Sequence, residues 1–261
     1  MKSPAKITTL QELVALPLQM HSKDEFGQLC WWRGHSDESW TLAPSVYRNQ
    51  KGERYEAAIL RWFIARANIG HEKDPRRNDN FGWLSLAQHY RLPTRLLDWT
   101  QSVLVAAYFA VNENKDKDAA LWCLQPGTFN YHHIGKEGLT DSLTEEVVVS
   151  SAVAFINRMS DLTEEDQVYI RERKYVAVVP EISDLRMLQQ MAMFTIHNTP
   201  SPIDSNTDSD VFLRKFIIPK EHKHILKLAL ESLGINTMNL FPDLESIGKC
   251  LADYDFSYLD E

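Results

Sequence analysis

Three runs decide how this chain folds: Tyr175-Val176-Ala177-Val178-Val179, Phe194-Thr195-Ile196, and Val211-Phe212-Leu213-Arg214-Lys215-Phe216-Ile217-Ile218, the last closed by Pro219. Each is short and rich in β-branched or aromatic residues, the composition that suits a pleated, half-buried surface. A doubly wound parallel sheet needs strands and helices in strict alternation, and these runs do not keep it. We therefore expect an α+β fold: a single globular domain over residues 1–261, with a central mixed or antiparallel sheet flanked by helices.

Working outward, Ala119–Leu124 is a further β-prone run, and Leu29–Arg33 reads as a strand ending at Gly34. Apolar spacing predicts helices over Leu10–Leu16, Glu53–Ala67 and Trp83–Tyr90, the last halted by Pro93, because proline disfavours the helical conformation of its predecessor. Ser102–Asn112 is apolar nearly all round and reads as a buried helix, capped by Thr100 or Asp98. Helices are also expected over Thr144–Met159, Lys220–Leu233 and Asp243–Leu251, with Gly234 as the left-handed residue ending the second. The polar stretch 201–210 has no periodicity and reads as a loop, its order left open. No repeat and no linker divides the chain.

Composition narrows the function. Of 261 residues, 44% are hydrophobic and seven are tryptophan, enough to build a substantial core. The basic start Met1-Lys2-Ser3-Pro4-Ala5-Lys6 leads into no apolar run, and the longest such run, Val103–Val111, is far short of the roughly 20 residues a spanning helix needs. A cytoplasmic location and no membrane partner are expected. Cys30, Cys123 and Cys250 stand apart, without a Cys-x-x-Cys pair, which disfavours disulfides and a thiolate metal site. The net charge of -8 opposes indiscriminate nucleic-acid binding. Residues 1–100 are nevertheless basic, so any anion-binding face would be local, built from residues such as Arg33, Arg48, Arg61, Arg66, Arg91 and Arg95.

Three segments have the residue types for chemistry. Trp32-Arg33-Gly34-His35 sets a guanidinium beside a residue with no side chain, which suits a phosphate or carboxylate, or equally a salt bridge and a turn. Ala87-Gln88-His89 to Trp99-Thr100 places His89, Thr94, Arg95, Asp98 and Thr100 among apolar neighbours. Buried polar groups cost several kcal/mol unless paired, so these are either paired or used. An Asp98–Arg95 or Asp98–Arg33 ion pair and a catalytic site are both open. Arg186-Met187-Leu188-Gln189-Gln190 before Phe194 sets two amides just ahead of a strand, as ligand contacts or as an exposed helix end. His132-His133 and His222/His224 lack metal-ligand spacing and read as surface residues, and no metal site is expected. No glycine-rich phosphate loop and no Gly-x-Ser-x-Gly elbow is present.

With Leu42-Ala43-Pro44-Ser45-Val46-Tyr47-Arg48 and Leu240-Phe241-Pro242-Asp243-Leu244, these segments resemble the FRG domain family, named for an aromatic-Arg-Gly signature that stands here as Trp32-Arg33-Gly34. The chain departs from that pattern twice: Met191 and Arg91 stand where the family commonly has glycine. Members of that family are mostly bacterial and phage-associated domains, some of them near toxin and anti-phage modules, so the resemblance implies a macromolecular target and an antitoxin or defence-system partner. The order of parts also resembles the Arg–Ser/Thr–Glu class of ADP-ribosyltransferases. That resemblance implies NAD as cofactor, with Arg33 on its pyrophosphate or ribose, Thr100 positioning the nicotinamide ribose, and Gln189 in the third motif, where Asp98 would substitute for the missing glutamate. The implied catalytic set is Arg33, Asp98, Thr100 and Gln189. The implied binding set is Trp32, Gly34, His35, Arg48, His89, Thr94, Arg95, Trp99, Gln190 and Phe194. Two alternatives accompany it: a non-catalytic module recognising a nucleotide or phage component through Arg33, Arg48, His89 and Arg95, and, ranked last, a metal-dependent nuclease using Asp98 with Glu53 or Glu56.

Overall fold

Hydrogen bonding between short β-branched and aromatic runs gathers eight strands into one sheet. The computed structural model describes residues 4–21, 29–48, 50–67, 75, 79–136, 138–142, 146, 148, 151 and 162–252. The strands are β1 (Ala5–Lys6), β2 (Trp31–His35), β3 (Leu96–Thr100), β4 (Ala119–Leu124), β5 (Thr140–Asp141), β6 (Tyr175–Val179), β7 (Ala192–His197) and β8 (Leu213–Ile218). Their order is β1-β8-β4-β2-β3-β7-β6-β5. Two-residue strands pair in parallel at each edge, β1 on β8 and β5 on β6, and every other pair is antiparallel. This is the α+β arrangement the strand succession predicts.

Helices cover both faces. Val103–Val111 lies against β2 and β4 among Trp32, Leu121 and Cys123, with the 10–21 and 220–232 helices packed around it. Asn80–His89 covers the other half of the sheet through Phe81, Leu84 and Ala87 on Leu96, Phe194 and Ile196. Trp31, Trp99, Trp122, Phe129 and Tyr175 fill a third cluster. No helix among the described residues is long and apolar enough to cross a membrane.

Several local expectations need correction. Leu96–Thr100, to which the sequence pattern assigned no element, is a central strand: Leu96, Leu97, Trp99 and Thr100 are all buried, and burial on both faces erases the alternation that marks a half-exposed strand. Neither Thr100 nor Asp98 caps the next helix. Ser102 does, its Oγ accepting the Val105 amide at 3.3 Å, while the Thr100 hydroxyl accepts the Ser102 amide at 3.0 Å. Strand β8 begins at Leu213 because Ser209–Phe212 forms a helical turn. Residues 201–210 are tied down, with Ile203 fully buried and the Asp204 carboxylate accepting the Leu42 amide at 2.7 Å. His133 is not a surface residue but packs against Phe129, Tyr175 and Phe212. Gly234, at φ 81°, is the left-handed helix terminator expected. The helix expected over Thr144–Met159 lies largely outside the described residues.

Candidate functional site

The site forms where the sheet nearly comes apart. Strand β2 pairs with β4 along its five residues, and β3 pairs with β7 along its five, but β2 and β3 meet only at Trp32–Thr100. Beyond that pair the two half-sheets diverge, and buried backbone groups along the gap need other partners. Arg33 supplies one: its NH1 donates to the Asp98 carbonyl at 2.6 Å, with an Asp98 carboxylate oxygen 3.8 Å away.

The Arg33 Nε donates to His35 Nε2 at 2.9 Å, which requires that nitrogen to be unprotonated. The proton therefore sits on Nδ1, which donates to the Trp40 carbonyl at 3.2 Å. Burial, and then the Arg33 charge, push the imidazole pKa down to about 3, so His35 is a neutral acceptor holding Arg33 and not a titrating group. Burial also pushes Arg33 down to about 10, against the opposing pull of Asp98, and it remains a cation at neutral pH.

Above Arg33 opens a cleft of about 310 Å³. Arg33, Asp98, Thr100 and Gln190 line it, together with the backbone-close residues Trp32, Gly34 and Trp99. The cleft also takes Gln88, Trp40, Phe109, Asn112, Glu113 and Arg186. Gln88 is fixed in orientation: the Thr94 hydroxyl donates to its Oε1, leaving its Nε2 to donate to the Asp98 carboxylate at 2.7 Å. A chain of Thr94, Gln88, Asp98 and Arg33 thus orders the floor.

Other expected site residues lie elsewhere. Arg95 is buried and bonds Glu56 twice, Nε at 2.9 Å and NH2 at 2.7 Å, so the Asp98 ion pair is with Arg33 and not Arg95. The same pairing commits Glu56, which the nuclease reading needed, while the side chain of Glu53 lies outside what is described. His89 sits 3.3 Å from Asp184, Phe194 is a core residue edge-on to Phe81, Thr94 is fully buried, and Gln189 and Arg48 are exposed away from the cleft lining. Gly34, which lines the cleft, also has a packing role: a Cβ there would fall 1.9 Å from the Ala106 carbonyl oxygen, so the missing side chain admits the Val103–Val111 helix.

Gln88 and Arg186 stood within the segments singled out in the sequence but drew no role there. Phe109, Asn112 and Glu113 lie along and just past the buried helix, and Trp40 gave no signal, because strand order alone brings these residues together.

Fold and cleft thus define an α+β protein with a polar pocket, lined by two arginines and two carboxylates, at the junction of two half-sheets. Residues 28–119 match the family model of the FRG domain. That span contains Arg33, Gln88, Asp98 and Thr100, and ends before the Arg186–Ala192 wall. No curated protein and no solved structure matches the chain.

Proposed function

We propose that the cleft binds a nucleotide of the NAD class and that the chain acts as an ADP-ribosyltransferase-like effector of a toxin or anti-phage system. The observation that supports this is convergence: Arg33 on β2, Thr100 on the neighbouring β3, and Gln190 at the turn into the next strand, β7, all face one pocket. These are the three parts whose order in the sequence suggested the resemblance, with Gln190 in place of Gln189.

The lining suits such a ligand chemically. A guanidinium offers paired donors to a phosphate, Trp40 and Phe109 offer aromatic surface to a base, and Gln88, Asn112 and Gln190 provide amides for hydroxyls. Asp98 stands beside Arg33 as the carboxylate for stabilising a cationic ribosyl transition state. A volume of about 310 Å³ is at the low end for ligand sites, roughly 300–1,000 Å³, so part of a dinucleotide would lie across the mouth.

One observation favours a second reading, binding without turnover. The turn into β7 brings an amide and no carboxylate, and one donor of the Gln190 Nε2 is engaged by the Leu240 carbonyl at 2.9 Å.

The test is NAD calorimetry and nicotinamide release, with cell lysate supplying acceptors, for wild type, Arg33→Ala and Arg33→Lys. Removing a charged donor aimed at the reacting ligand is expected to cost about 100-fold or more in release. Binding without release would select the recognition reading, and absence of both would remove NAD.

A further inference from the structure

We infer that Arg186 is a second anion-binding residue of the cleft, and that the ligand therefore carries two linked phosphates. This deepens the nucleotide reading and rests on it for the cleft being a ligand site.

Arg186 lines the same cleft as Arg33 but belongs to the other half of the molecule. Arg33 comes from β2, whereas Arg186 lies on the Leu185–Gln189 helix that leads into β7. Each half thus contributes one arginine to the cleft lining.

Each guanidinium also keeps donors for a ligand. Arg33 uses Nε on His35 and NH1 on Asp98, which leaves NH2. The Arg186 guanidinium lies over the Phe241 ring, 4.7 Å from its centre. Stacking occupies the face of the planar group and leaves its in-plane N–H edge open. The backbone and side-chain hydrogen bonds of Ser246 hold the Asp243 carboxyl below its usual range, with the Arg186 charge the smallest contributor, and no carboxylate among the described residues comes within ion-pair distance of Arg186.

The stacking partner is itself held in place. Phe241 meets Phe109 edge-on, centres 6.0 Å apart, and Gln190 anchors the preceding carbonyl. Arg186 is thus a positioned cation. Of the two carboxylates in the cleft, Asp98 is already engaged by Gln88 and Arg33, and Glu113 is exposed. A ligand with one phosphate on Arg33 would leave Arg186 without an anion at ion-pair distance, whereas a diphosphate bridge meets both.

The experiment is calorimetry of wild type, Arg186→Leu and Arg186→Lys with inorganic pyrophosphate, ADP-ribose and AMP, with thermal unfolding as the control on folding. Wild type is expected to bind ADP-ribose and pyrophosphate. Arg186→Leu should weaken both by about tenfold or more, the loss of one charge-assisted contact, should change AMP by less than about threefold, and Arg186→Lys should recover part of the loss. Equal loss for AMP and ADP-ribose, no loss for either, or no binding of pyrophosphate and ADP-ribose by wild type would overturn the assignment. The two readings separate: NAD turnover unaffected by Arg186→Leu leaves the NAD reading and removes this one, while Arg186-dependent pyrophosphate binding without any NAD binding does the reverse.

Discussion

At Gly34 a hydrogen atom stands where any other residue would put carbon into a helix. The added Cβ of Gly34→Ala would meet the Ala106 oxygen at 1.9 Å and the Ala110 nitrogen at 2.6 Å, both backbone atoms of the buried helix. Neither can swing aside as a side chain would. Gly34→Ala is expected to destabilise by at least about 3 kcal/mol, the upper range for overpacking, as measured by urea denaturation. An unchanged midpoint would mean the helix can retreat, and the close approach would lose its explanation. Two other residues show what sequence reading can and cannot reach. Met191 and Arg91 were conspicuous because the resembling family has glycine there, and both take positive φ, 48° and 62°. The backbone keeps a glycine-like conformation although the side chain has changed. His35 was legible as a member of the motif, but its neutrality was not, since that depends on burial and on a cation two residues away.

Between elements, one ammonium group does the work of a bound cation. Lys223, on the 220–232 helix, is almost fully buried, and its Nζ donates to the carbonyls of Ser36, Glu113, Asn114 and Lys117 at 2.7–3.3 Å. Those carbonyls belong to the exit from β2 and to the turn between the buried helix and β4, and Ser36 and Glu113 reach the cleft wall. Lys223→Met keeps the aliphatic stem and removes the charge, leaving carbonyls that had converged on a cation without their donor. The expected loss is about 3 kcal/mol, with ligand affinity in the cleft falling alongside it. A Lys223→Met protein with wild-type stability would show that water replaces the ammonium at no cost. The elements themselves were mostly readable. Ala119–Leu124 and Tyr175–Val179 have the bounds their composition predicts, and the buried helix was plain from its uniform apolarity. Strand β3 was not, because its central position buries both faces and removes the alternation that would mark it.

Across the whole molecule, three histidines are kept neutral by burial. His35 and His197 are pushed down to about 3 and His133 to about 4, with neighbouring cations adding to the effect at each. An unfolded histidine titrates near 6.5, so below that pH the unfolded chain binds protons the native one refuses. Their contribution is complete above about pH 6.5 and is lost as pH falls toward 3–4, at up to about 1.4 kcal/mol per pH unit for each fully buried ring. The melting temperature should therefore drop steeply between pH 6.5 and 4.5, and a flat profile there would show that the rings accept protons in the folded state. The cleft was only partly legible on this scale. Its Arg33 and Asp98–Thr100 floor lies within recognisable motifs, while its Arg186 wall becomes a neighbour only through the strand order.

That order has a consequence for how the chain is made. One half-sheet takes β1, β2, β4 and β8, the other β3, β5, β6 and β7, so the chain crosses between them four times. Neither half is a continuous stretch of sequence. The half holding Arg33 cannot close until β8, which sits between β1 and β4, has left the ribosome, although Arg33 lies far upstream of it. Such long-range closure is slow in folding, since distant segments must meet before their contacts reward them. A nascent or truncated chain lacking residues 213–218 therefore displays the signature residues without the completed half-sheet behind them, and whatever activity the cleft has is withheld until those residues have been made.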